Sequence, residues 1–156
     1  MNLDYAGDLS PRETWDKIKE NADCFLIDCR TSAEWSLIGV PDLDSLGKKV
    51  IFIEWQIFPT MEKNPRFLQE ISETDLKKNS KIIFLCRSGA RSRSAAEFLT
   101  SQGYESCFNC SEGFEGVHDN FGHRSKVNGW KFLTLTLENF PLNLLSYFQK
   151  QLTQSF

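Results

Sequence analysis

The sequence predicts an α/β fold in which a parallel sheet has helices on both faces. Two nearly continuous apolar runs, Cys24–Asp28 and Lys81–Leu85, are typical of strands buried on both faces of a parallel sheet. Stretches with helical signals lie between the candidate strands, and this alternation indicates βαβ units.

The first half of the chain contains two helix starts. The motif Ser-Pro-Arg-Glu at residues 10–13 combines a capping serine, a proline at the first helical position and a capping-box glutamate, and predicts a helix over residues 11–21. Thr31 or Ser32 caps a short helix that runs through Leu37, because Gly39 and Pro41 then end it.

The second half continues the same alternation. Residues 50–53 form a buried-strand candidate, and Asn64-Pro65 opens a helix whose apolar side chains recur at helical spacing. A helix over residues 92–102 ends at Gly103, and a short strand covers residues 106–109. Four glycines mark residues 113–129 as a region of loops.

Two regions are expected along the chain: a domain over residues 1–130 and a C-terminal extension over residues 131–156. Pro141 begins a segment whose apolar residues fall near one helical face, namely Leu142, Leu145, Phe148 and Leu152. We expect this helix to dock on the same domain, and a partner-binding helix is the alternative.

Composition excludes several classes of protein. With 156 residues, 40% of them hydrophobic and 13 Phe, the chain has enough apolar surface for a core and is not intrinsically disordered. A net charge of -3 provides no bulk attraction for nucleic acid or an anionic membrane, and no apolar run is long enough to span a bilayer. The N-terminus resembles neither a secretory signal nor a transit peptide, so we expect a cytoplasmic protein with five reduced cysteines.

The segment that follows the strand over residues 81–85 is the most informative in the chain. Cys86 comes at the carboxyl end of that strand, where open α/β folds bind their ligands. Small residues around Gly89 allow the backbone to turn tightly before a helix, so that amide N–H groups face inward and form an anion site. Together with Arg87, Arg91 and Arg93, this arrangement favours a nucleophilic thiolate.

These residues belong to a set of motifs that resembles a single-domain rhodanese. In order along the chain the motifs are Leu26-Ile27-Asp28-Cys29-Arg30, Glu34-Trp35, Cys86-Arg87-Ser88-Gly89-Ala90-Arg91-Ser92, Glu112-Gly113-Phe114-Glu115-Gly116 and Val127-Asn128-Gly129-Trp130-Lys131. The resemblance covers roughly residues 5–130. It implies a five-stranded parallel sheet and a catalytic cysteine that cycles through a persulfide, without a metal or organic cofactor.

The resemblance and the loop chemistry together assign candidate roles. Cys86 is the nucleophile, which takes sulfur from a small anionic donor such as thiosulfate and passes it to a thiol or cyanide. The substrate-binding candidates are Arg87, Ser88, Gly89, Ala90, Arg91 and Ser92. Asp28, Arg30 and Glu34 are supporting residues, and we expect Arg30 to pair with Glu34. For Arg91 a structural ion pair, and for Ser92 a helix cap, are equally good accounts.

Two other functions compete with sulfur transfer. A Cys-based phosphatase or arsenate reductase is opposed by loop length, because Arg91 gives Cys-x4-Arg whereas phosphatases space the pair as Cys-x5-Arg. A non-enzymatic rhodanese-like regulatory or binding module is weakened by the presence of Cys86.

Several other residues are candidates for a role at the site. Cys29 is a possible resolving thiol for the persulfide, whereas Cys107 and Cys110 lie three apart on a strand and therefore on opposite faces. His118 and His123 match no zinc spacing and are expected to be solvated. Residues 112–116 depart from the commoner family form, and residues 58–65 are a candidate lid.

Overall fold

The computed structural model describes residues 4–134, which form a parallel sheet flanked by helices. A single turn of 3-10 helix lies at Asp44–Leu46. The other elements are β1 Gly7–Leu9, α1 Pro11–Glu20, β2 Cys24–Asp28, α2 Ser32–Ile38, β3 Ile51–Phe52, β4 Gln56–Ile57, β5 Glu62–Lys63, α3 Phe67–Ser72, β6 Lys81–Leu85, α4 Ala90–Ser101, β7 Ser106–Cys110 and α5 Trp130–Thr134.

Five strands pair in the order β1-β7-β6-β2-β3, and every pair is parallel. Alternate side chains of β2, β6 and β7 enter apolar clusters on opposite faces, because successive strand residues point in opposite directions. One cluster contains Leu26, Ile83, Leu85, Cys110, Trp15 and Trp130. The other contains Ile27, Ile82, Phe84, Cys107, Phe67 and Leu99. The predicted α/β fold with a five-stranded parallel sheet is confirmed.

The predicted capping residues of the first two helices form hydrogen bonds at the helix N-termini. Ser10 and Glu13 form both halves of the capping box of α1, and Thr31 and Glu34 do the same for α2. The chain leaves α2 at Gly39, whose φ of 99° is unfavourable for other residues. β2 and β6 have the predicted bounds, since their apolar runs are buried on both faces.

Three elements differ in extent from the prediction by two residues or more, and α1, α2 and β7 by a single residue at their ends. The strand predicted over residues 50–53 is reduced to β3, which pairs only with β2 at the sheet edge. The helix predicted from Asn64-Pro65 begins at Phe67, because the Asn64 side chain accepts a hydrogen bond from the Arg66 amide and forms a turn first. α4 begins two residues earlier than predicted, since Gly89 adopts a φ of 106° and starts the helix.

Two pieces of the sheet architecture have no sequence prediction. β1 is a three-residue edge strand that pairs with β7. The β4–β5 antiparallel hairpin is the second, and its turn and second strand lie within residues 58–65, the segment that is the candidate lid. Both are too short for a periodic apolar pattern to mark them.

The start of the predicted C-terminal extension packs on the rest of the described chain. Leu133 of the extension packs against the apolar cluster that contains Trp130, the last residue of the predicted domain, whose ring lies 6.0 Å from that of Trp15. The amphipathic helix predicted from Pro141 lies outside the described residues, and the boundary at residue 130 stays a prediction. Within residues 4–134, no helix has the length and apolarity to span a membrane.

A buried ion pair ties the end of β2 to the end of α2. The guanidinium group of Arg30 contacts both carboxylate oxygens of Asp28 at 2.8–3.2 Å, and both side chains are fully buried. The same guanidinium donates to the Gly39 carbonyl at 2.7 Å and lies 4.2 Å from the Phe114 ring. The predicted Arg30–Glu34 pair is therefore wrong, because the Arg30 side chain points into the sheet edge rather than along α2.

We expect Asp28→Asn to lower the free energy of unfolding by about 3 kcal/mol or more, because the variant leaves the Arg30 charge buried without its counter-ion. The matched control is Asp16→Asn, which breaks the exposed Arg12–Asp16 pair and should cost no more than about 0.5 kcal/mol. Urea unfolding at neutral pH measures both variants. Equal losses in the two variants would contradict the role assigned to the buried pair.

Candidate functional site

The carboxyl ends of three parallel strands meet at one edge of the sheet. β2 ends at Asp28, which is in register with Leu85 of β6, and β6 in turn pairs with β7. Cys86 follows β6 directly and lies between the ends of the two neighbouring strands. The topology therefore brings the candidate nucleophile to the position where open α/β folds bind ligands.

The sulfur of Cys86 has two hydrogen-bonding neighbours. The amide N–H of Gly89 points at Sγ with an N···S distance of 3.1 Å, and the hydroxyl oxygen of Ser92 lies 3.1 Å from Sγ. Cys86 is only 1% exposed, yet it contributes to the wall of a surface cavity. N–H and O–H groups at this distance stabilise negative charge on sulfur.

A turn at residues 111–115 holds the Cys86 loop by backbone contacts. The Phe114 amide donates to the Cys86 carbonyl at 2.8 Å, and the Glu115 amide donates to the Arg87 carbonyl at 2.9 Å. Glycine is required on both sides of this contact. A Cβ on Gly89 would lie 2.1 Å from the Ser111 carbonyl oxygen, and a Cβ on Gly113 would lie 2.5 Å from the Arg87 backbone.

The far end of the loop is held by an ion pair between α4 and α2. Arg91 donates through both terminal nitrogens to the Glu34 carboxylate at 2.6 and 2.9 Å. Burial raises the pKa of Glu34, but the hydrogen bonds and positive charge of Arg91 outweigh burial, so the carboxyl pKa falls below its usual value. Of the two accounts of Arg91, the ion pair is the one present.

The other arginines of the loop have different environments. Arg87 is exposed beside the cavity and makes no ion pair with any of residues 4–134. Arg93 instead bonds Glu97 one turn along α4 at 3.0 Å and does not line the cavity. The positive charge available to an incoming anion is therefore that of Arg87.

The cavity beside Cys86 has a volume of about 590 Å³. The loop contributes Cys86, Arg87, Ser88, Ala90 and Arg91, and α2 contributes Ala33, Glu34, Leu37 and Ile38, with Thr31 just before it. The β4–β5 hairpin supplies Gln56, Phe58 and Met61. Leu37 is 82% exposed and Phe58 is 58% exposed, so the outer wall presents apolar side chains to solvent.

The other four cysteines are buried free thiols. Cys29 shares an apolar cluster with Cys86, and burial raises its pKa well above the usual value, which opposes attack on a persulfide. Burial also raises the pKa of Cys107 to about 11 and that of Cys110 to about 12. The last two lie in clusters on opposite faces of the sheet, as predicted.

The remaining candidates lie away from the sulfur. His118 and His123 are exposed, and neither lines the cavity. His123 lies in a turn in which its amide donates to Asp119. Across residues 4–134, no cluster of three or more His, Cys, Asp and Glu side chains is arranged to hold a metal ion.

Two site residues, Asn109 and Gln56, have no sequence prediction. Asn109 accepts from Ser92 at 2.6 Å and is buried; an asparagine inside a short strand of otherwise apolar pattern is the signal that marks it. Gln56 reaches the cavity through tertiary packing, and no local motif marks it, whereas Phe58 and Met61 belong to the candidate lid at residues 58–65 and line the cavity.

Comparison with protein families and curated proteins gives concordant matches. The family model described as "STR4 middle domain" matches residues 6–131. The uncharacterized protein RC0915 of Rickettsia conorii is 41% identical over 120 residues, which are 77% of this chain and 93% of that protein. The thiosulfate sulfurtransferase GlpE of Actinobacillus pleuropneumoniae is 28% identical over 109 residues, which are 70% of this chain and 83% of that protein.

Solved structures share the fold. Rv0390 from M. tuberculosis has a TM-score of 0.76 and 41% identity, and the match covers 83% of this chain and 94% of that chain. A rhodanese-like domain protein from Staphylococcus aureus has a TM-score of 0.50 and 19% identity, covering 69% and 86% of the two chains. The second likeness concerns the fold alone.

We expect Gly113→Ala to lower the free energy of unfolding by about 3 kcal/mol, because the new Cβ meets the Arg87 backbone and the residue has a left-handed φ. Gly122→Ala is the matched control, since Gly122 has a similar φ but no atom within 4 Å of the added Cβ. This control should lose only about 1 kcal/mol. Urea unfolding compares the two, and equal losses would contradict a tight contact between the turn and the Cys86 loop.

We expect the stability contributed by Glu34 to depend on pH. Because its pKa is lowered in the folded protein, ionised Glu34 adds stability above the usual glutamate value of 4.5, and this stability is lost as the pH falls through the folded value. Glu34→Gln should therefore be less stable than the wild type at pH 7, and the gap should narrow below about pH 4.5. Urea unfolding at several pH values measures the gap.

The control for this experiment is Glu97→Gln, which breaks the exposed Arg93–Glu97 pair of α4. Its difference from the wild type should be small at neutral pH, since exposed pairs of this kind contribute little. A gap for Glu34→Gln that stays constant down to pH 3 would refute the assignment.

Proposed function

This chain belongs to the STR4 middle-domain family and is a rhodanese-like protein, and we propose that it is a sulfurtransferase that uses Cys86 as its nucleophile. It moves sulfane sulfur from thiosulfate or a related donor to a thiol or cyanide through a Cys86 persulfide. The observation that carries the proposal is the placement of two hydrogen-bonding groups, the Gly89 amide and the Ser92 hydroxyl, at 3.1 Å from a sulfur that lines a surface cavity.

The reaction has two displacement steps. The Cys86 thiolate attacks the outer sulfur of the donor, the sulfur–sulfur bond of the donor breaks, and its electron pair leaves with sulfite or a thiolate. The persulfide then carries its negative charge on the terminal sulfur. An acceptor thiolate or cyanide attacks that sulfur, and the electron pair of the persulfide bond returns to Cys86.

The loop lowers the energy of the charged states. Donors fixed by the backbone need no reorganisation when charge appears on sulfur, so they act most strongly in a water-poor site. Gly89 is held by its contact with Ser111 and by the start of α4, which fixes the direction of its N–H. Arg87 beside the cavity attracts the anionic end of the donor.

The volume and lining of the cavity indicate which kind of sulfur donor it can hold. Its volume of about 590 Å³ lies in the range of sites for small organic molecules, and apolar Leu37, Phe58 and Met61 form its outer wall. Because Glu34 and Arg91 neutralise each other, Arg87 is the uncompensated charge of this wall. A donor with an organic body and a single negative charge matches this wall at least as well as thiosulfate does.

Persulfide trapping tests the proposal. Incubation of the wild type with thiosulfate should add about 32 Da to the protein, and the peptide that contains Cys86 should carry the addition. Cys86→Ser should show no addition, and its production of thiocyanate from thiosulfate and cyanide should fall to the uncatalysed rate.

Cys29→Ser is the matched control, since Cys29 lies in the same apolar cluster but makes no contact with the cavity. It should retain both the mass addition and the activity. A phosphatase substrate run in parallel should remain intact. Sulfur transfer that survives in Cys86→Ser, or hydrolysis of the phosphate ester, would overturn the proposal.

A further inference from the structure

Polar side chains form a continuous chain from the Cys86 sulfur to the edge of the sheet. Ser92 Oγ lies 3.1 Å from Cys86 Sγ and 2.6 Å from Asn109 Oδ1. Asn109 Nδ2 donates to Asp8 Oδ1 at 3.0 Å, and the Tyr5 hydroxyl donates to the same oxygen at 2.8 Å. Ser92 is fully buried and Asn109 is 3% exposed, so bulk water does not replace the bonds of Ser92 to Cys86 and Asn109, whereas Asp8 at the sheet edge is exposed.

The orientation of the Asn109 amide follows from its neighbours. An ionised Asp8 carboxylate only accepts hydrogen bonds, so the amide nitrogen of Asn109 must face it. Burial and the hydrogen bond to Asp8 both raise the pKa of Tyr5, so the phenol keeps its proton and remains a donor to Asp8. The amide oxygen of Asn109 therefore faces Ser92.

Ser92 has a single hydroxyl proton and two neighbours that accept it. The 2.6 Å separation from Asn109 Oδ1 is that of a strong hydrogen bond, and the amide oxygen has no proton to offer in return. While Ser92 donates to Asn109, its oxygen can only accept from the Cys86 S–H group. A negative charge on Sγ requires the Ser92 proton to turn toward the sulfur and leave Asn109.

We propose that Asn109, oriented by Asp8, is a positioning residue that holds the Ser92 proton away from Cys86 until the sulfur carries a negative charge. Forming the thiolate then costs the Ser92–Asn109 hydrogen bond, whereas the thiol keeps it. Asn109 therefore raises the energy of the resting thiolate and acts on Cys86 only through Ser92.

One consequence rests on the proposed sulfurtransferase function. When Sγ forms its bond to the transferred sulfur, the negative charge moves to the terminal sulfur, and the Ser92 proton returns to Asn109. The chain of hydrogen bonds then favours the persulfide over the thiolate, and so favours uptake of sulfur from the donor.

Other groups that face Cys86 remain the same in the variants that test this proposal. Arg91 of α4 and Arg87 of the loop supply positive charge, and the Gly89 amide donates to the sulfur. Cys29 of β2 and Cys110 of β7 interact electrostatically with Cys86, and both are buried thiols. A shift in the pH dependence of Cys86 reactivity that is caused by a substitution at residue 109 therefore reports which neighbour accepts the Ser92 proton.

The experiment measures the rate of Cys86 alkylation by iodoacetamide against pH, with the modified peptide quantified by mass spectrometry. Asn109→Leu keeps the number and branching of the side-chain heavy atoms and removes the acceptor, so the midpoint of the profile should fall by about one pH unit, with a roughly tenfold faster reaction at pH values below the midpoint. Ser92→Ala should raise the midpoint. The double variant should match Ser92→Ala, because Asn109 acts through Ser92.

Ser80→Ala is the control, since it removes a buried side-chain hydrogen bond, to Asp23, at the opposite end of the sheet. It should leave the midpoint unchanged. A midpoint in Asn109→Leu that is unchanged or raised, or a double variant that matches Asn109→Leu, would overturn the proposal.

Asp8→Asn provides a second test of the link between residue 109 and Ser92. If Asn109→Leu does not fold, Asp8→Asn tests the same link, because the amide of residue 109 is then free to turn and release the Ser92 proton. At high salt, where the remote charge of Asp8 is screened, this variant should still lower the midpoint. Alkylation needs no sulfur donor, so the pH profile of Cys86 tests the role of Asn109 even if the protein does not transfer sulfur.

Discussion

The site depends on the backbone contact between the Cys86 loop and the turn at residues 111–115. Two hydrogen bonds join the loop carbonyls of Cys86 and Arg87 to the amides of Phe114 and Glu115. The contact is close enough to require glycine at residues 89 and 113. Because the turn follows β7 and the loop follows β6, the pairing of these two strands sets the direction of the Gly89 N–H toward the sulfur.

The net charge of the chain does not describe the charges at the site, because several of them are paired. The chain has a net charge of -3, yet Asp28 and Arg30 neutralise each other within the sheet edge, and so do Glu34 and Arg91 at the cavity wall. Both pairs stabilise the fold: the Asp28–Arg30 pair joins α2 to β2, and the Glu34–Arg91 pair joins α2 to α4. Among residues 4–134, Arg87 is therefore the cation without an ion-pair partner at the cavity wall beside Cys86.

Hydrogen bonds and an adjoining cavity together separate one cysteine from the other four. Cys29, Cys107 and Cys110 lie in the apolar clusters of the two faces, where burial raises the pKa of each thiol. Cys86 is almost as buried, but it has an amide N–H and a hydroxyl within 3.1 Å, and a cavity wall beside it. Cys110 also has a hydroxyl partner, Thr14, and an amide partner, Gly113, and Cys24 lines a different cavity. The combination of both features, rather than exposure, therefore distinguishes Cys86 among the five thiols.

The sequence by itself determined the capping boxes of α1 and α2, the buried strands β2 and β6, and the glycine-bearing loop at Cys86, because each depends on residues close together in the chain. Only the tertiary structure decided that Arg91 pairs with Glu34, that Arg30 turns to Asp28, and that Asn109 meets Ser92. The same is true of the three-residue β1 and the hairpin at the cavity wall. For the partners on different elements, the physical reason is that strand register and packing bring them together, and local propensity carries no information about that register. Arg30 and Asp28 are only two residues apart, but the direction of the Arg30 side chain depends on its packing against Gly39 and Phe114.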